Sequence, residues 1–414
     1  MIPLKRKRIL LFVGEGITLA HIARPYALAD SLDPAQYEIH FACDPRYDFL
    51  IQKPAWIRWA LPSIPPDEFL QALARSVPFY RYETLQNYVH EELALLEKIK
   101  PDLVVGDFRL TLSVSAKVKK IPYATITNAY WSPYADHRKL PLPDHSLNRW
   151  LGPWIYRALF SLLKPLFFRV IFLRALNRIR KEHGLPSFKN VFDLNTHADF
   201  TLYADIPDFA PTQNLPSNHR YLGPIFWSPQ MELPSWWEEV QQKKPLIYVN
   251  LGSSGQINCL PLVVDTLKDL SITVVVATAG RSKLGNLPPH IYGADYLPGD
   301  QIAKNAAAVI CNGGALSIFQ ALREGTPVVG IATNMDQFLA MEAVVKFKAG
   351  ILLRAGTLKP PEIRNAVERI LNDNVFQVGA QKMAAMIQRY SAPQRFHEFL
   401  EGFYNELLVN HQSR

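Results

Sequence analysis

The chain has 414 residues, more than one hydrophobic core organises, so two domains are expected. Apolar residues make up 48% and charged residues 20%, which excludes a chain disordered throughout; the net charge of +8 leaves nucleic acid, a membrane surface and an anionic substrate open. Cys43, Cys259 and Cys311 stand far apart without a C-x-x-C pair, which argues against a disulfide framework or a zinc site and suits a reducing cytoplasm.

At the N-terminus, basic Lys5 to Arg8 lead into "RILLFVG". That apolar segment is too short for a signal peptide and reads as a first strand. A helical pattern over 19–32, a strand over 37–44, a helix over 87–100 that stops before Pro101, and a strand over 101–107 follow. "TLSVSAKVKK" then leads into "IPYATITN". This alternation predicts parallel βαβ units. The rhythm breaks over about 131–190, a helical stretch rich in Trp, Phe, Leu and basic residues. Prolines crowd 205–234. The rhythm restarts with strands in "KPLIYVNLG", "SITVVVATAG", "AAAVICNGG", "TPVVGIATN" and "AGILLRAG". The expected organisation is a first α/β domain over 1–210, a linker over 211–234 and a second α/β domain over 235–391. An amphipathic helix closes the chain over 392–414 and is expected to pack back on the first domain. No uninterrupted apolar run approaches the roughly 20 residues of a membrane-spanning helix.

Open parallel sheets bind ligands beyond the carboxyl ends of their strands. That rule selects "GEGITLAH", "GDFR", "GSSG" (252–255) and "NGGALS" (312–317), which strand ends facing each other would gather in one interdomain cleft. Gly313 and Gly314 ahead of a helix suit an anion, because the backbone can approach closely and the first-turn N–H groups are unpaired; a plain tight turn is the alternative. "GSSG" offers a second such loop, and two of them suggest a diphosphate. His21 at a helix start is a candidate base, with Asp107 at a strand end to fix its tautomer, against the plainer reading of a capping or surface histidine.

Taken together these residues resemble the GT-B glycosyltransferases, specifically the bacterial family 1 (UDP-glycosyltransferase-like) enzymes. The resemblance rests on Asn312, Gly314, Ser317, Gln320, Gly325-Thr326-Pro327 and Asp336-Gln337, on His21 with Pro25, on Asp107, and on "VNLGSSG". It implies two facing Rossmann-like, doubly wound parallel-sheet domains and an inverting transfer of sugar from a UDP- or dTDP-sugar. His21 would take the acceptor proton and Asp107 would steady it. Ser253, Ser254, Gly313, Gly314 and Ser317 would hold the diphosphate, with no metal required. Gln320 would reach the ribose, Tyr296 and Leu297 would lie by the base, and Asp336 and Gln337 would hold sugar hydroxyls. Two positions depart from the family: Asn312 stands where it has His, and Gln320 where it has Glu. Either side chain still forms hydrogen bonds, without the option of charge. Ser317 and Gln320 also fit an S-x-x-Q cap, although the glycine pair places the helix start before Ser317.

The 130–180 stretch interleaves Trp131, Trp150, Trp154, Phe160, Phe167, Phe168 and Phe172 with Arg149, Arg157, Lys164, Arg169 and Arg174. It is either a patch lying on an anionic membrane or an apolar acceptor pocket with a basic rim, and both readings point to a lipophilic acceptor. No nucleic-acid-binding motif accompanies the charge. The expected protein is a cytoplasmic enzyme, with peripheral attachment to the inner membrane face as a further option. A nucleotide-sugar 2-epimerase and a non-catalytic partner subunit are the rival readings.

Overall fold

The first strand, β1, runs Arg8–Gly14 and is buried from Leu10 onward. A continuous apolar run, not an alternating one, is what a strand covered on both faces requires. The computed structural model describes residues 6–50, 53–75, 77–137, 140–142, 155, 158–160, 162–163, 166–252, 255, 258–282 and 284–412, the last three without side chains. The chain divides into two compact units.

The first unit takes in 1–136, 163–225 and 390–414. Its described strands are β1, β2 (Tyr37–Cys43), β3 (Ile57–Ala60), β4 (Leu103–Asp107), β5 (Tyr123–Thr127), β6 (Phe200–Tyr203) and β7 (His219–Tyr221), all parallel. Their order is β3-β2-β1-β4-β5-β6-β7. The winding therefore reverses between β1 and β4, where Gly14 pairs with Asp107. The unit continues to Ile225, past the boundary expected at 210, because β7 adds a strand inside the segment read as linker. The Ala392–Gln412 helix belongs to this unit. Phe396 meets Phe12 at 6.0 Å, Phe399 meets Phe200 at 5.2 Å, and Glu401 pairs with Arg8.

The second unit takes in 137–162 and 226–389. Its described strands are β8 (Leu246–Asn250), β9 (Thr273–Ala277), β10 (Ile291–Ala294), β11 (Ala308–Cys311), β12 (Val328–Ala332) and β13 (Gly350–Arg354). They are parallel in the order β10-β9-β8-β11-β12-β13. The reversal here falls between β8 and β11, where Asn250 pairs with Cys311. Ile247, Val249, Val274, Val276, Ile310 and Val329 pack against Leu260, Val263, Ile363 and Val367. Each such side chain contributes about 1.5–3 kcal/mol on burial. No helix among the described residues is long and apolar enough to cross a membrane.

Candidate active site

Both reversal points are topological switch points, the places where open α/β sheets hold ligands. At the first, the Ala20–Asp30 helix docks directly on the end of β1. Only glycine permits this approach: a Cβ at Gly14 would sit 2.8 Å from the His21 carbonyl oxygen and 2.9 Å from Ile22 Cα. The docking carries His21 to the end of β4, where its Nδ1 lies 2.8 Å from Asp107 Oδ1. The Asp107 side chain is 1% exposed and the His21 side chain 19%. Arg24 Nη2 also lies 3.2 Å from Nδ1, but it donates to Asp107 Oδ1 at the shorter 2.7 Å. In the tautomer with Nδ1–H donating to the carboxylate, Nε2 carries the ring's lone pair.

Sequence reasoning missed Arg24. Its guanidinium forks onto Asp107, Nε donating to Oδ2 at 2.6 Å and Nη2 to Oδ1 at 2.7 Å. Nη1 donates to Asn128 Oδ1 at 2.7 Å, and Asn128 Nδ2 donates to Asp205 Oδ1 at 2.9 Å. The network thus links residues at the ends of β4, β5 and β6. The available signal was spacing, since Arg24 lies three residues after His21 on one helix face.

Between Asp107 and Arg109 the backbone turns left-handed, with Phe108 at φ +56°. That conformation costs a non-glycine residue roughly 1–2 kcal/mol. Arg109 is fully buried and donates from Nη1 to Glu15 at 3.0 Å and from Nε to Glu92 at 2.7 Å. Its guanidinium lies 3.4 Å from the centre of the Tyr88 ring. Burial pushes the Glu92 carboxyl up, opposed by Arg109 and by hydrogen bonds from Thr111 and Ser115.

At the second switch point, the Ala315–Arg323 helix begins after Gly314 with no side-chain cap. Ser317 is therefore inside the first turn and is not the N-cap. Gly252 and Gly313 adopt φ values of +63° and +75°, which glycine allows freely. Asn312 is buried between the two loops. Its Oδ1 accepts from Gly314 N–H at 3.1 Å. A Cβ at Gly252, Gly255 or Gly314 would fall within 3.3, 3.0 or 3.3 Å of its side chain. Asn312 thus braces the loops against each other. Ser253 and Ser254, like Lys5, Arg149, Trp150, Trp154, Arg157 and Lys164, lie outside the described residues.

The remaining candidates differ in what they have left to offer. Gln320 donates its amide to the Trp227 carbonyl at 2.6 Å and to the Ser228 hydroxyl at 3.2 Å. Gln337 is 1% exposed, and its Oε1 accepts from both the N–H and the hydroxyl of Thr333 at 2.8 Å. Its acceptor oxygen is thus committed to Thr333. Asn334 caps the Met335–Lys346 helix by accepting from Gln337 N–H, which leaves Asp336 in the first turn. Leu297 is buried, whereas Tyr296 is half-buried beside Gly280, and burial pushes its hydroxyl up.

Comparison with known proteins gives this geometry a family. Residues 261–401 match the profile of the erythromycin biosynthesis protein CIII-like C-terminal domain. A PGL/p-HBAD biosynthesis rhamnosyltransferase of Mycobacterium bovis is 46% identical over 92% of this chain and 84% of that protein. A PGL/p-HBAD biosynthesis glycosyltransferase of Mycobacterium tuberculosis is 45% identical over 92% of this chain and 89% of that protein. Among solved structures, the spinosyn rhamnosyltransferase SpnG complexed with thymidine diphosphate has a TM-score of 0.66. At 17% identity the match covers 95% of this chain and 100% of that one, a likeness of GT-B fold. The chain belongs to the family of these PGL/p-HBAD biosynthesis glycosyltransferases and is itself a glycosyltransferase.

Proposed function

We propose that this glycosyltransferase is inverting and moves a sugar from a UDP- or dTDP-sugar to a hydroxyl of a lipophilic small molecule or lipid. The observation that carries the reading is the 2.8 Å contact between His21 and a buried Asp107. His21 Nε2 takes the proton of the acceptor hydroxyl as its oxygen attacks the anomeric carbon. The bond from that carbon to the diphosphate breaks, its electron pair leaves with the nucleoside diphosphate, and the centre inverts. Asp107 stabilises the imidazolium that forms.

The diphosphate is assigned to the uncapped helix start at Ala315 and to Gly313, Gly314, Asn312, Ser317, Ser253 and Ser254. The N–H groups there meet the developing charge, so the reading requires no metal. Tyr296 and Leu297 are assigned to the nucleobase and Asp336 to the sugar. Gln320 offers the ribose only its carbonyl oxygen, since its amide is engaged. The name of the M. bovis relative makes rhamnose the first sugar to test, and the nucleotide held by SpnG makes dTDP the first carrier.

The test is incubation with dTDP-rhamnose with and without apolar alcohols and phenols. Acceptor-dependent release of dTDP, with a product of inverted anomeric configuration by NMR, is expected. Conversion of the donor without an acceptor, as an epimerase gives, overturns the reading. So does nucleotide binding without turnover, as a partner subunit gives.

A cytoplasmic, peripheral contact with an anionic membrane is a second reading. Leu163, Leu166 and Val170 are 46%, 62% and 44% exposed at helical spacing, beside exposed Arg169 and Arg174. Co-sedimentation with anionic vesicles that is lost at high salt is expected; no sedimentation at low salt sinks this reading.

A further inference from the structure

Phe108 is the one left-handed non-glycine residue among the described residues that touches His21. Its conformation has a visible cause. On one side Asp107 is held by His21 and the Arg24 fork. On the other, buried Arg109 is held by Glu15, Glu92 and the Pro62 carbonyl. The left-handed residue thus stands between two side chains that are both buried and anchored. Glycine would occupy such a position without strain, yet the chain has a phenyl ring there.

That ring is placed against the base. It stacks on the His21 imidazole at 4.6 Å between centroids and 18° between planes. Behind it, Phe69 meets it edge-on at 6.2 Å and Phe79 lies at 6.4 Å. Both of these are buried, and Phe79 continues to Phe172 at 5.4 Å. The phenyl is therefore wedged between a packed aromatic cluster and the imidazole. Asp107 and Arg24 both meet His21 at one atom, Nδ1, and a contact at one atom does not set the tilt of the ring. A stacked plane removes the tilt. We infer that Phe108 is a positioning residue that holds the imidazole plane of His21 and thereby aims Nε2.

The inference rests on His21 being the base, and the experiment separates the two. In Phe108→Leu, apolar bulk remains but the plane is lost. The His21 ring-proton resonances are expected to move downfield as the phenyl ring current disappears. The kcat is expected to fall by about tenfold or more, as small misplacements of a reacting group do. Acceptor KM and the calorimetric affinity for dTDP should change by less than about twofold, in keeping with binding left intact. Phe108→Tyr should recover most of the rate. Phe108→Gly, which relieves the backbone but removes the ring, should also lose rate.

A raised acceptor KM with kcat intact would mean that Phe108 contacts the acceptor, and would overturn the inference. Loss of stability in parallel with rate, without rescue by tyrosine, would mark a merely structural ring and also overturn it. Moved resonances with an unchanged rate would do the same. A His21→Ala enzyme that retains full activity would instead remove the base assignment, whatever the resonances show.

Discussion

The two switch points occupy equivalent places in their sheets and are built in opposite ways. At the end of β4 the polar side chains of His21, Asp107, Arg24, Asn128 and Asp205 form one connected network. At the end of β11, among the described residues, Gly252, Gly255, Gly313 and Gly314 surround the buried Asn312. The first arrangement holds the imidazole at Nδ1, leaves Nε2 for a proton and suits proton transfer. The second leaves backbone N–H groups approachable and suits a bulky anion. Preorganisation comes from side-chain saturation in one unit and from backbone shape in the other.

The most direct way to break this comparison is to remove the base. His21→Ala is expected to lower kcat by about 10²–10⁴-fold, the range for a general base. Affinity for dTDP should hold, because the nucleotide is assigned to the other unit. A loss of nucleotide affinity equal to the loss of rate would show that the division of labour is wrong.

The network can be broken from behind as well. Arg24→Met leaves Asp107, whose side chain is 1% exposed, without its fork. Removing one partner of a buried ion pair costs about 3–5 kcal/mol. The urea midpoint of the variant should fall accordingly, with activity reduced even where the protein remains folded. A change under about 1 kcal/mol, the worth of an exposed pair, would mean that the carboxylate is hydrated rather than held by the arginine.

The glycine-rich site should respond more weakly. Asn312→Ala removes one acceptor for Gly314 N–H and the brace between two loops. A single hydrogen bond contributes about 0.5–1.5 kcal/mol, so calorimetry should show dTDP affinity lower by up to about tenfold. Unchanged affinity would mean that the backbone holds its shape without the asparagine.

How much of this was legible follows from where each signal lives. The α/β architecture and the four strand-end loops were readable, because apolar runs ending in Gly, Asp or Asn mark buried strands and their carboxyl ends. His21 and Asp107 followed from loop position alone. Arg24 did not, because it lies inside the Ala20–Asp30 helix, past the "GEGITLAH" loop that the strand-end rule selects. Strand β7 escaped because three residues, His-Arg-Tyr, carry no periodicity. Phe108 could not be read as left-handed, because the cause is burial of both neighbours and not anything in phenylalanine itself. At Gln337 the motif was visible but the local bond was not: nothing in an Asp-Gln pair shows that Oε1 accepts from Thr333.

Gln320 offers the smallest and most discriminating change. The resembled family carries Glu at this position, so Gln320→Glu looks like a return to type. The structure predicts otherwise. The amide of Gln320 donates to the Trp227 carbonyl at 2.6 Å, and a carboxylate in the same place would set oxygen against oxygen. The Ser228 hydroxyl, 3.2 Å from the amide nitrogen, can turn and donate to a carboxylate, which offsets part of the loss. The net cost should be about 1 kcal/mol, the scale of one hydrogen bond exchanged for a poorer one. Thermal unfolding would read that cost, and calorimetry with dTDP would read the alternative. If the variant binds dTDP more tightly at unchanged stability, its carboxylate has reached the ribose and the Trp227 contact is dispensable. If stability drops and affinity does not rise, this chain uses position 320 to hold the Trp227–Ser228 segment, and glutamine is required there for the N–H that glutamate lacks.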